Sequence, residues 1–165
     1  MTTVAIISGS PSRASKTNRV AEWVSEQLQR IGHTVYFIRL RDLPAEDLLY
    51  AHSSSDSIVK THDWIRQSRV VVVLSPVYKG SYTGILKAYL DLLPEKAFAG
   101  KLVVPIVTGG PLLICWLSNT RSNPFSPFWE RGKSCMASLF WIGHWGMMTK
   151  AASCFRTTCC RGWKR

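Results

Sequence analysis

The sequence predicts an α/β fold built on a doubly wound parallel sheet, and two observations support this. Short apolar runs, such as the one at residues 70–74, are typical of strands that are buried on both faces of a sheet. Between these runs, apolar residues recur at the spacing of a helix. Because strands and helices alternate along the chain, the pattern favours parallel strands joined by helical crossovers.

The elements follow one another in the order βαβαβαβ. Strands are predicted at residues 4–7, 34–40, 70–74 and 102–107. Helices are predicted at residues 20–28, 58–66 and 85–93, and a loop with Leu43 and Pro44 precedes the second of them. A length of 165 residues suits one domain of this kind.

Two turns at strand ends are candidate ligand sites, because parallel α/β proteins bind ligands beyond the carboxyl ends of their strands. The turn from Pro76 to Lys87 offers free backbone N–H groups and the ring of Tyr78, which suit a flat heterocycle with polar edges. The last predicted strand ends in Gly109 and Gly110, where a backbone can approach a ligand closely. An ordinary strand–turn–helix with surface tyrosines is the alternative interpretation of the first turn.

The loop from Ser8 to Asn18 is a candidate phosphate site. It is rich in hydroxyl groups, carries Arg13 and Lys16, and opens onto a helix N-terminus, where free amides and the helix dipole favour an anion. It contains no Gly-x-Gly-x-x-Gly, and no glycine directly precedes Lys16, so it lacks the Walker pattern. A phosphomonoester is therefore favoured over a dinucleotide or a nucleoside triphosphate. A plain helix cap is the alternative.

Together these loops resemble those of the NADPH-dependent FMN reductase family, which has the flavodoxin-like fold. The similarity extends from Val4 to Gly110, and the stretch at 44–51 is typical of the branch that supplies reduced FMN to alkanesulfonate monooxygenases. The stretches that carry the resemblance are Gly9-Ser-Pro, Pro44-Ala-Glu-Asp-Leu-Leu-Tyr-Ala51, Pro76-Val-Tyr-Lys79, Gly84-Ile-Leu-Lys87, Leu90-Asp-Leu-Leu-Pro-Glu-Lys96 and Thr108-Gly-Gly110.

The resemblance implies an enzyme that reduces FMN with NADPH and serves a flavin-dependent monooxygenase. The residues that it places around FMN fall in three loops: Ser8, Ser10, Arg13, Ser15, Thr17 and Asn18 at the phosphate, Pro76, Val77, Tyr78, Lys79 and Ser81 beside the isoalloxazine ring, and Thr108, Gly109 and Gly110 near its pyrimidine edge. Hydride passes between the two cofactors, so no catalytic side chain and no metal site are expected. A non-catalytic flavin-binding module, a defective product, and a quinone or azo-dye reductase remain as alternatives.

The composition changes abruptly after Gly110. All five cysteines and five of the seven tryptophans lie in residues 111–165, which carry eight Lys and Arg against one acidic residue. Nucleic-acid binding is disfavoured. A zinc site and disulfides are also disfavoured, because no Cys-x-x-Cys occurs and Cys159 and Cys160 are adjacent. The sequence is therefore predicted to divide into an incomplete FMN-binding domain at 1–110 and an aberrant tail at 111–165.

A shift of reading frame near Gly110 explains the tail best. In the frame that joins the last base of each codon to the first two bases of the next, Cys115-Trp116 encodes Leu and Trp163-Lys164 encodes Glu, whatever codons are used. With permissive codons, this frame yields a string that resembles the family's last helix and fifth strand. Those two elements are expected after Gly110 and are absent from the sequence as written.

The remaining expectations concern location and assembly. The sequence contains no run of about 20 apolar residues that would indicate a membrane span, and we expect a cytoplasmic protein. The family forms dimers or tetramers partly through the helix that the tail replaces, so the resemblance does not carry an oligomeric state over to this chain.

Overall fold

The computed structural model describes residues 1–109, and its centre is a parallel sheet. The strands are β1 (Thr3–Ser8), β2 (Thr34–Arg39), β3 (Val70–Pro76) and β4 (Leu102–Thr108). They lie in the order β2-β1-β3-β4, with every neighbouring pair parallel. This is the order in which flavodoxin-like sheets begin, and it confirms the predicted fold class.

Helices connect the strands where helical spacing was predicted. They are α1 (Lys16–Arg30), α2 (Ala45–Leu49), α3 (Asp56–Gln67) and α4 (Gly84–Leu92), with a single 3-10 turn at Leu40–Asp42. The helix α2 was not predicted, and its residues were assigned to a loop. At five residues it is too short to show a helical period.

The two faces of the sheet are packed by different helices, as a doubly wound fold requires. Ala5 and Ile7 of β1 point to the face that α3 and α4 cover, where Tyr89 is fully buried. Val4 and Ile6 point to the opposite face, which packs against α1. Successive residues of a strand point to opposite faces, which is why these strands are apolar throughout instead of alternating.

The strand order creates a crevice at one end of the sheet. The chain leaves β1 toward β2 on one side, whereas β3 and β4 lie on the other side. The connections that follow β1 and β3 therefore diverge at the carboxyl ends of these strands, which opens a crevice between them. Ser8 is in register with Leu74 across this pair, so the loops after both strands begin at the same level.

Several predicted features lie outside the described residues. They are Gly110, the tail at 111–165, and the loss of a last helix and a fifth strand. Within residues 1–109, none of the helices is long and apolar enough to cross a membrane.

Candidate functional site

A pocket of about 190 Å³ lies at the carboxyl ends of β1, β3 and β4, between the three predicted loops. It is lined by Ser10, Ser15, Lys16, Thr17, Pro76, Tyr78, Thr108 and Gly109. The strand order places these loops together although they are far apart in the chain. The pocket therefore occupies the crevice that the topology predicts.

Hydrogen bonds within the first loop fix its shape. Ser15 caps α1, because its hydroxyl accepts a hydrogen bond from the Asn18 N–H at 3.0 Å. The Asn18 amide accepts from the Ser8 hydroxyl at 2.6 Å and donates to the Ser12 carbonyl at 2.8 Å. Ser8 and Asn18 are buried and bonded to each other, so they shape the loop from behind and do not line the pocket.

Thr108 joins all three loops at the end of β4. Its carbonyl accepts a hydrogen bond from the Val77 N–H at 2.9 Å, which ties it to the turn after β3. Its hydroxyl lies 2.7 Å from the hydroxyl of Thr17, at the start of α1. Both threonines are buried and both line the pocket. A single residue therefore sets the distance between the phosphate loop and the turn that carries Tyr78.

The turn after β3 is a tight two-residue hairpin. The backbones of Tyr78 and Ser81 exchange two hydrogen bonds, at 2.8 and 3.0 Å. Between them, Lys79 and Gly80 both have positive φ, at 51° and 80°, which is the signature of a type I′ turn. This turn projects the Tyr78 ring, which is 49% exposed, to the edge of the pocket.

Gly9 and Thr83 position the loops without facing the pocket. The Gly9 N–H donates to the Leu74 carbonyl at 2.7 Å, and the Thr83 hydroxyl donates to the Gly9 carbonyl at 2.6 Å. Thr83 also caps α4. A side chain at Gly9 would meet the Leu74 carbonyl oxygen and the Leu86 Cβ at 3.0 Å. Thr83 was not among the predicted residues, although a threonine directly before a helical run is an N-cap signal.

The pocket is electropositive. Among the lining residues within 1–109, Lys16 is the single charged one and none is acidic. Lys16 was noted in the sequence but was not among the predicted binding residues. Arg13, which was among them, is exposed on the loop and does not line the pocket. In residues 1–109, no cluster of three or more His, Cys, Asp or Glu side chains is arranged to hold a metal ion.

The predicted binding residues therefore fall into groups. Those that line the pocket are Ser10, Ser15, Thr17, Pro76, Tyr78, Thr108 and Gly109. Those that do not line it are Ser8, Arg13, Asn18, Val77, Lys79 and Ser81. Val77 packs instead against the apolar core beneath α3 and α4. Gly110 is outside the described residues.

Comparison with known proteins gives matches over the same region. Residues 2–113 match the family described as NADPH-dependent FMN reductase. A curated relative from Pseudomonas putida named FMN reductase (NADPH) is 43% identical over 109 residues, which is 66% of this chain and 55% of the relative. Another from Pseudomonas putida, named NADH-dependent FMN reductase SfnF, is 32% identical over 131 residues, 77% of this chain and 70% of the relative.

A solved structure shows the same similarity in three dimensions. The apo form of the NADH:FMN oxidoreductase EMOB is 32% identical and aligns with a TM-score of 0.72, over 86% of this chain and 75% of that one. The chain spans about half the length, 55% and 56%, of its FMN reductase (NADPH) relatives from Pseudomonas putida and Escherichia coli.

Proposed function

This chain belongs to the NADPH-dependent FMN reductase family, and from that premise we propose that it reduces FMN with NADPH as the hydride donor. The observation that carries the proposal is the pocket at the crevice between β1 and β3. Within the part of the chain that the structure describes, its lining combines several hydroxyl groups, one lysine and no carboxylate. That set of groups suits a phosphomonoester, because hydroxyls and a helix N-terminus donate hydrogen bonds to its oxygens and the cation balances its charge.

The residues present fit FMN in two parts. Ser10, Ser15 and Thr17 would hold the phosphate, together with backbone N–H groups in the first turn of α1, which have no acceptor within the helix. Pro76 and Tyr78 would hold the flat ring. The enclosed volume of about 190 Å³ is below the ~300–1,000 Å³ of typical ligand pockets, so the pocket would enclose only part of a ligand of this size.

The chain's own residues bind and orient in this proposal. Bound FMN would supply the hydride acceptor, its N5 atom, and this chemistry belongs to the cofactor. Thr108 keeps the phosphate loop and the Tyr78 turn at a fixed separation through its carbonyl and its hydroxyl. A fixed separation holds the ring in one place relative to the phosphate, which is the positioning that hydride transfer requires.

The nucleotide donor and the partners follow from the same family membership. The names of the relatives include both NADPH and NADH as donors, and we propose NADPH because the family description specifies it. A flavin-dependent monooxygenase, such as one that acts on alkanesulfonates, is the proposed consumer of reduced FMN. We place the protein in the cytoplasm.

We further propose that residues 111–165 are encoded out of frame and that the FMN-binding domain ends near Gly110. The alternative reading frame supports this. In that frame, the pairs Trp141-Ile142 and Met147-Met148 each encode Asp, whatever codons are used. Resequencing the coding DNA is the direct test. A coding region in which no single insertion or deletion separates the two frames rules the proposal out.

The function is tested by following NADPH oxidation while FMN is titrated, with the full chain and a frame-restored version measured in parallel. Turnover that depends on FMN in either protein supports the reductase. Flavin binding without turnover in both favours a non-catalytic flavin-binding module. Quinones and azo dyes tested as acceptors under the same conditions separate the neighbouring enzyme classes, and faster turnover with either than with FMN contradicts the proposal.

A further inference from the structure

We propose that His62 makes the packing of α3 sensitive to acid, because protonation of its ring loosens the contact of this helix with the sheet. The inference goes beyond the proposed function, since His62 does not line the pocket. Its Nε2 atom is the single buried side-chain nitrogen or oxygen in residues 1–109 that has no hydrogen-bond partner. Buried polar atoms in proteins nearly always have a partner, so an exception calls for a physical explanation.

The neutral ring of His62 tolerates this environment, whereas the protonated ring does not. A neutral imidazole carries one proton, which can be on Nδ1, so that Nε2 bears none. The protonated ring is a donor at both nitrogens and carries a positive charge. Its Nε2 proton would be buried without an acceptor, and both the unmade hydrogen bond and the charge would destabilise the folded state. The position of this one atom therefore makes folding unfavourable to the protonated ring.

The place of His62 in α3 explains why Nε2 has no partner. One helical turn separates it from Ile58 and from Ile65, which are completely buried in the apolar core on this face of the sheet. The neighbouring hydroxyl of Thr61 is already engaged, because it donates to the Ile58 carbonyl at 2.7 Å and accepts from the Tyr89 hydroxyl at 2.8 Å. His62 therefore lies at the edge of a buried face whose polar groups satisfy one another.

The charges on α3 itself compensate the protonated ring only in part. Asp63 directly follows His62, but its side chain is half exposed and forms an ion pair with Arg66 at 2.9 Å. Asp56 and Lys60, the other charged residues of the helix, are exposed. Burial, as the larger effect, lowers the pKa of His62 below its ordinary value of 6.5, and the negative charge of Asp63 opposes this.

The segments around α3 offer the ring no acceptor either. Neither β1 nor β3 contains an ionisable side chain. On α4, Lys87 and Asp91 form an ion pair with each other, and the Tyr89 hydroxyl is bonded to α3. Tyr36 of β2 donates to the last residue of α3 at 2.9 Å, and Lys101 donates to two carbonyls at that end of the helix, at 2.7 and 2.9 Å.

The other ionisable side chains of the adjoining segments are also engaged or exposed. They are Arg39, Asp42 and Asp47, which have partners elsewhere, and Arg69, Glu95 and Lys96, which are exposed. Within the part of the chain that the structure describes, no group therefore accepts a hydrogen bond from Nε2 of His62.

The experiment follows the unfolding of the full chain by denaturant between about pH 5 and 8, the range in which histidines titrate. As the pH falls below about 6.5, the unaltered chain should lose stability, because the unfolded chain takes up a proton before the folded one. His62→Leu should remove this part of the loss, since leucine takes up no proton and suits the apolar surroundings. His52→Gln is the control at a histidine whose side chain is 56% exposed, and it should not reduce the loss.

The titration of the His62 ring is measured separately by NMR, with its resonance assigned by comparison with His62→Leu or, if that variant does not fold, with His62→Gln. The midpoint should lie below 6.5. For each pH unit of this difference, the unfolding equilibrium constant should change by about ten-fold between the two ends of the pH range. A midpoint at or above 6.5 overturns the inference, since it means that Nε2 has an acceptor such as a bound water.

Hydrogen exchange on the unaltered chain distinguishes a loosened helix from a general loss of stability. After correction for the intrinsic rates, the amides of α3 should exchange faster at about pH 5 than at about pH 8, and the amides of α1 on the opposite face should be less affected. Equal acceleration in both helices contradicts the inference, as does a loss of stability in acid that persists in full in His62→Leu. None of these measurements uses a flavin, so their outcome is independent of the proposed function.

Discussion

The hydroxyl oxygens of Thr17 and Thr108 lie 2.7 Å apart, although 91 residues separate them in the chain. One belongs to the first turn of α1 and the other to the last residue of β4. Both are buried at the wall of the pocket. This contact makes the geometry of the phosphate loop depend on the end of β4.

Replacing either threonine with valine should lower the free energy of unfolding by about 1–3 kcal/mol, because the remaining hydroxyl is buried without its partner. Thr17→Val combined with Thr108→Val should cost less than the sum of the single changes, since no unpaired hydroxyl is left. Denaturant unfolding of the three variants measures this coupling. Strictly additive losses would show that the two hydroxyls do not interact in solution.

Gly9 should tolerate no side chain. Gly9→Ala brings a Cβ to 3.0 Å from the Leu74 carbonyl oxygen and the Leu86 Cβ, and we expect a loss of about 1–3 kcal/mol from overpacking. Gly84→Ala is the control, because a Cβ there meets nothing within 4 Å and the residue begins α4. Gly84→Ala should be neutral or stabilising by up to ~1 kcal/mol. Thermal unfolding of both variants measures the two changes in stability. Equal changes for Gly9→Ala and Gly84→Ala would contradict the close approach at Gly9.

Lys79 has a left-handed backbone, with φ of 51°, and this conformation costs a residue with a Cβ roughly 1–2 kcal/mol. Lys79→Gly should therefore keep or raise the free energy of unfolding, by up to ~1 kcal/mol, although glycine is more flexible in the unfolded chain. Lys79→Val should lower it, because β-branched residues tolerate this conformation least. Lys96→Gly is the control at an exposed lysine whose φ is not positive, and it should lower stability or leave it unchanged.

The carboxylate of Asp47 should make the free energy of unfolding depend on pH in the acidic range. The Ser55 hydroxyl donates to its carboxylate at 2.6 Å and the Ser57 hydroxyl at 3.1 Å. The hydrogen bond from Ser55, followed by those from Ser57 and His52, holds the pKa of Asp47 below its ordinary value of 3.8, although burial opposes this. Because the folded pKa is the lower one, the unfolded chain takes up the proton first, and this contribution is lost as pH falls below about 3.8.

Asp47→Asn tests this through the free energy of unfolding measured against pH. The variant should be less stable than the unaltered chain near neutral pH, and the difference should shrink as pH falls through 3.8 and below. Glu46→Gln, on the same helix α2, controls for the loss of one negative charge. A difference between Asp47→Asn and the unaltered chain that stays constant down to the lowest pH would show that the hydroxyl contacts do not favour the ionised carboxylate.

Most of the fold was predictable because the signals for its elements are local. The runs at 70–74 and 102–107 are apolar throughout, which only strands buried on both faces require, and both are strands in the structure. Helical spacing located α3 and α4 to within two residues at each end, whereas α1 begins four residues before its predicted start. The helix α2 escaped because its five residues contain too few apolar positions for a period to appear.

The sequence by itself determined which loops carry the site, because loops that follow parallel strands gather at one end of the sheet whatever their side chains. Only the tertiary structure decided which side chains in those loops face the pocket. Ser8 and Asn18 turn away because they satisfy each other's hydrogen bonds, and Lys16, not Arg13, lines the wall. The contact of Thr17 with Thr108 depends on strand order, since β3 alone lies between β1 and β4. The direction in which a side chain points and its contacts with residues distant in the chain are set by packing in three dimensions, and no local pattern of residues encodes them.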